Sequence, residues 1–137
     1  MSWICEVCGR GFARRNQLHS CSANDLDHAF SGIGKRWLPL YRKLLSIARE
    51  ELPPFTEHFP SIGIMWRGSS TFAEFRFTKR EFFVFFFWDS LRVDSDPVKH
   101  FQMSTNRVAH QVVVNEDNVD QVLEWIADSY FLTQRDR

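Results

Sequence analysis

Phe82-Phe83-Val84-Phe85-Phe86-Phe87-Trp88 is apolar at every position, so no alternation separates a wet face from a dry one. Seven such residues rich in aromatics predict a strand, and a strand apolar on both sides belongs at the centre of a sheet with something packed on each face. Upstream, Lys79-Arg80 reads as a tight turn, although it lacks the Asn-Gly chemistry that favours one. Before that turn, Thr71, Ala73, Phe75 and Phe77 alternate with Glu74 and Arg76, the pattern of a strand with one buried face. Gly68-Ser69 forms the turn to a further strand carrying Ile62, Ile64 and Trp66.

Downstream, Ser90 to Pro97 is a polar loop, and two strands, about Val98 to Ser104 and Arg107 to Val114, complete a meander. A helix is predicted on either side of these strands. The first runs from about Arg36 to Leu52, with Trp37, Leu40, Tyr41, Leu44, Leu45, Ile47 and Ala48 at helical spacing. Pro39 fits only in its first turn, which places the true start near Trp37, and Pro53-Pro54 end it. In the last helix Val119, Val122, Leu123, Ile126 and Tyr130 form one stripe after the cap-rich Asn115-Glu116-Asp117. About five antiparallel strands with a helix before and a helix after make the fold class α+β.

The chain has 137 residues, enough for one domain with a small appendage. Its 17 Lys+Arg balance 17 Asp+Glu, so nucleic acid or an anionic membrane would have to be met by a local patch. The apolar run is far shorter than the roughly 20 residues of a membrane-spanning helix, and the N-terminus has no secretory pattern. A cytoplasmic location with no membrane partner is the expectation. Three cysteines, all within the first 21 residues, make a poor disulfide framework and suit a reducing compartment.

Those cysteines carry the clearest chemistry. Cys5-Glu6-Val7-Cys8 and His19-Ser20-Cys21 supply three thiolates and an imidazole, a favoured tetrahedral set for one structural Zn²⁺. Two residues between Cys5 and Cys8 let a tight turn aim both sulfurs at one ion, and Gly9 eases the reversal. His19 and Cys21 would diverge by about 200° on a continuous helix, so the chain must bend between them. His28 is the alternative fourth ligand. With three thiolates on a dication the site is left one charge negative, which Arg10, Arg14 and Arg15 can offset. A segment of this size cannot fold on apolar burial alone, so the metal decides whether it orders. The organisation expected is a zinc finger at 1–23, a linker at 24–34 containing Ser31, Gly32 and Gly34, and an α+β domain at 35–137.

The pattern Cys5-x2-Cys8-Gly9-Arg10-x-Phe12 followed by Asn16-Gln17-x-His19-Ser20-Cys21 resembles the opening of a family of short bacterial proteins. In that family such a finger precedes an α+β domain of unknown function. The amphipathic helix from Trp37 to Leu52, Phe72-Ala73, His110 and the segment from Val119-Asp120 through Trp125 to Tyr130 are similar as well, so the resemblance spans nearly the whole chain. It implies the fold and the metal and carries no activity. The run Phe82 to Trp88 is richer in aromatics than that family's pattern.

Lys35, Arg36, Arg42, Lys43 and Arg49 follow one another with no acid between residues 35 and 49. Together with Arg10, Arg14 and Arg15, the residues Lys35, Arg36, Arg42 and Lys43 are the candidate contacts for DNA or RNA phosphates. Their ordinary reading is the solvated face of a helix. A protein partner or homodimer held through the Phe-rich sheet is the second expectation. The weaker third is an enzyme with a pocket between sheet and helices: His58, His100 and His110 are scattered, and Glu74 with Arg76 or Asp89 with Arg92 could line a cleft. Gly32-x-Gly34-Lys35 follows no strand and reads as linker rather than phosphate loop.

Overall fold

A computed structural model describes residues 2–4, 11–15, 29–60 and 63–135. Two short strands, β1 (Trp3–Ile4) and β2 (Gly11–Phe12), pair antiparallel, with Trp3 opposite Phe12 and Ile4 opposite Gly11. The four expected zinc ligands Cys5, Cys8, His19 and Cys21, the alternative His28, and Arg10 lie outside the described residues.

The remainder is an α+β unit. A 3-10 turn, Gly32–Trp37, leads into α1 (Leu38–Glu51), where Pro39 occupies the first turn as its missing N–H demands. The strands are β3 (Thr56–His58), β4 (Ile64–Arg67), β5 (Thr71–Phe77), β6 (Phe82–Trp88), β7 (Lys99–Ser104) and β8 (Arg107–Val114), followed by α2 (Val119–Arg135). They form one antiparallel sheet in the order β3-β4-β5-β6-β8-β7.

The sheet therefore has six strands where about five are expected. The addition is β3, whose Thr56-Glu57-His58 is too short and polar to show alternation. The end of the sheet is not a meander, because β8 lies beside β6 and β7 is displaced to the edge. Composition explains the exchange: β8 offers Val108, Ala109, Val112 and Val114 for burial, whereas every residue of β7 is exposed.

Both helices cover one face. The registers put Trp66, Ala73 and Phe86 in one row across that face and Ile64, Phe75 and Val84 in the next. Tyr41 of α1 meets Trp66 and Phe75, while Trp125 of α2 stacks on Phe86. A register shift between Trp66 and Arg67 leaves Phe72 as an extra residue on β5, and this bulge lets Phe72 and Ala73 both be fully buried.

β6 is internal, as its sequence predicts, but among the described residues helices lie on one side of it only. On the open side Phe83 is buried, Phe85 and Phe87 are half-buried, and the Arg76 guanidinium covers the Phe85 ring at 5.3 Å. The stretch assigned to a linker contributes to the core. Phe30 is fully packed, with its ring 4.9 Å from Tyr41 and 5.3 Å from Phe77, so packing begins before Lys35. A lone aromatic among polar residues shows no periodicity, which is why the sequence gives no sign of this.

Candidate nucleic-acid interface

Two hydrogen bonds bring separate basic segments onto one surface. Arg36 donates from Nη1 to the carbonyl of Lys79 at 2.9 Å, and Trp37 donates from Nε1 to the carbonyl of Thr78 at 2.9 Å. The start of α1 is thereby clamped to the turn between β5 and β6. The turn is itself braced: the Thr78 amide donates to the Glu81 carbonyl at 2.8 Å, and Thr78 Oγ1 accepts the amides of Arg80 and Glu81. Lys79 and Arg80 consequently stand beside Lys35 and Arg36, all four exposed. The Arg36 guanidinium lies over the Trp37 ring at 4.7 Å, a cation–π contact that fixes its direction.

The other expected residues fall unequally. Arg42 is exposed on α1, with no hydrogen bond or ion pair among the described residues. Lys43 is paired with Glu116 at 3.2 Å, so its charge is partly spent inside the molecule. Arg14 and Arg15 are exposed in the bend after β2, and Arg10 lies outside the described residues. Ile4 and Gly11 of the β1–β2 pair line a groove with Arg49 and Phe55, beyond the far end of α1. A helix of 14 residues separates its ends by about 20 Å.

In the sequence Lys79 and Arg80 show only the character of turn residues. Two adjacent cations at a hairpin tip are a usable signal, since turn residues stay on the surface. Their proximity to Lys35 depends on the packing of α1 and cannot be seen in the sequence.

Elsewhere, polar groups are committed to one another. The groove at the far end of α1, about 490 Å³, also includes Thr56, Glu57 and His58. It opens at the β3 margin rather than between sheet and helices. Glu57 accepts from the Tyr41 hydroxyl and, at 3.0 Å, from Arg49, while Thr56 Oγ1 and His58 Nε2 share a 2.8 Å bond. The buried Tyr41 hydroxyl accepts the Trp66 indole N–H at 2.9 Å. Burial and the adjacent Glu57 carboxylate push the Tyr41 phenol far above its usual range, so it remains a donor.

A second network joins the loop after β6 to α2. Arg92 pairs with Asp128 at 2.6 Å and with Asp94 at 3.1 Å, and lies over Trp88. Its backbone N–H donates to His110 Nε2 at 2.8 Å, and His110 Nδ1 contacts the Val108 carbonyl. His100 and His110, distant in sequence, stand opposite each other in neighbouring strands. Glu74 and Arg76 form a 2.7 Å ion pair on the open face of the sheet. Among the described residues no group of three or more His, Cys, Asp or Glu is placed to hold a metal, and no helix is long and apolar enough to cross a membrane.

Comparison with protein families gives a match over residues 27–133 to DUF5655, a domain of unknown function. The chain belongs to that family. The DUF5655 region takes in Phe30, the whole six-stranded sheet, and the cluster Lys35, Arg36, Lys79 and Arg80; it begins after Cys5, Cys8, His19 and Cys21 and includes the alternative ligand His28. No curated protein and no solved structure matches the chain.

Proposed function

We propose that this DUF5655 protein is a non-enzymatic, zinc-containing module that binds nucleic acid through phosphate contacts from Lys35, Arg36, Arg42, Lys79 and Arg80. The observation that carries the reading is the clamp of Arg36 and Trp37 onto the turn at Thr78-Lys79, which gathers cations from two segments in a chain of zero net charge. Such a local concentration, rather than overall charge, is what draws a polyanion to a neutral protein. Trp37 is half-buried and spends its indole N–H on Thr78, which favours phosphate contact over base reading.

Zinc is the metal whose chemistry fits Cys5, Cys8, His19 and Cys21. The pairing of β1 with β2 supports this, since it closes the chain on both sides of the segment holding Cys5 and Cys8. In this arrangement the metal orders the finger and takes no part in catalysis.

The test is binding of mixed-sequence duplex and single strands as salt is raised. The double variant Lys79→Ala/Arg80→Ala is expected to weaken binding equally for all sequences and to reduce the slope of log K against log salt by about 2. Undetectable binding at low salt would end this reading.

A second reading, a protein-interaction module, is favoured by one observation. Apolar side chains remain exposed at the β7 margin, with Phe101 at 50% and Met103 at 60%.

A further inference from the structure

The basic patch at Lys35, Arg36, Lys79 and Arg80 stands apart from every exposed aromatic ring among the described residues. Those rings are Phe101 on β7 and Phe131 on α2. Phe101 is in register with Ala109 and Phe87, and Phe87 lies five residues along β6 from Phe82 at the turn. The separation is about 17 Å along the strands, and β7 is two strands across. Ser129, close to Phe131 on α2, accepts the Phe87 amide at 2.9 Å, which places this part of the helix at the same remote end of β6. At the patch itself, Trp37 is engaged within the protein. Its ring stacks on buried Phe82 at 6.1 Å and carries the Arg36 guanidinium at 4.7 Å, and its N–H is bonded to Thr78. Phe77 is stacked on Phe30 at 5.3 Å and fills the space beside Gly34.

Resting on the nucleic-acid reading above, we infer that this patch takes double-stranded nucleic acid in preference to single strands, through contacts to the phosphate backbone. Proteins that hold single strands combine a basic groove following the backbone with aromatic rings on which the bases stack. Among the described residues the patch offers no such ring. It is also compact. Arg42 stands about 9 Å further along α1. Acids bound the patch, since Glu81 lies in its own turn, and Val114, paired with Phe82, leads into Glu116 and Asp117. A flexible strand would have to be ordered to meet these few cations and would gain no stacking in return.

A duplex presents one charge per roughly 1.7 Å of its axis, on a lattice that is already stiff. The cations match such a lattice because their supports are fixed. Arg36 is held at two points, the Lys79 carbonyl and the Trp37 ring, and Thr78 Oγ1 secures the amides of Arg80 and Glu81. Charges fixed on both partners lose little freedom on contact.

The test is equilibrium binding of the full chain to a mixed-sequence DNA duplex and to each of its separated strands at one low salt concentration. The duplex is expected to bind about tenfold tighter than either strand. Arg36→Lys keeps the charge but loses the planar fork that reaches the Lys79 carbonyl from the face of Trp37. It should lower duplex affinity about threefold and leave the strands nearly unchanged. Single strands bound as tightly as the duplex would overturn this inference and leave the nucleic-acid reading standing. Binding of neither form would end both. A duplex preference that Arg36→Lys leaves at full size would overturn the role assigned to the Arg36 clamp.

Discussion

His110 is fully buried between the Phe86 ring, stacked at 4.8 Å, and the loop at Arg92, whose backbone N–H reaches its Nε2. An accepting Nε2 requires the neutral ring. Burial first, then the charges of His100 and Arg92, hold its pKa below the ordinary 6.5. His58 is lowered too, by burial and Arg67. As pH falls through about 6.5 the unfolded chain takes up protons that the folded chain resists, so stability falls with falling pH. Thermal melts between pH 7.5 and 5 should show this decline. His110→Leu should make it shallower, leaving the part due to His58. It should also cost about 1–3 kcal/mol at pH 7.5, because the Arg92 N–H loses its acceptor. Sequence shows His110 on an alternating strand, but its partner is 18 residues away and depends on the path of the loop.

Among the elements, the 3-10 turn Gly32–Trp37 departs furthest from its sequence reading. Its glycines look like linker, yet a Cβ at Gly34 would sit 2.4 Å from the Phe77 ring. The turn is flush against β5, and only glycine permits that approach. Gly34→Ala should destabilise the fold by about 1–3 kcal/mol through overpacking, read as a lower urea midpoint with an unchanged slope. Because the turn also carries Lys35 and Arg36, the same variant should weaken binding to nucleic acid. The helices were legible because 14- and 17-residue stretches with a repeated stripe leave few alternatives. The order of β7 and β8 was not legible, since adjacent strands in sequence can pair in either arrangement with the same turn between them.

At the scale of the whole molecule, the DUF5655 unit has an extensive aromatic core of its own. Among the described residues, Tyr41, Trp66, Phe72, Phe75, Phe82 and Phe86 belong to one continuous buried cluster drawn from residues 30–126. Cys8→Ser is therefore expected to abolish stoichiometric zinc, measured by elemental analysis, and to unfold the segment before residue 24. The main melting transition should move by no more than a few degrees. Loss of all tertiary structure in that variant would show that finger and sheet fold as one unit. The amino-acid sequence by itself determined the α+β class, both helices and the internal position of Phe82–Trp88, because periodicity is a local property. Only the tertiary structure decided that Phe30 belongs to the core, that β7 lies at the edge, and that Lys79 and Arg80 join Lys35 and Arg36. Each of these depends on contacts between residues far apart in the chain, which side-chain packing selects and local pattern does not encode.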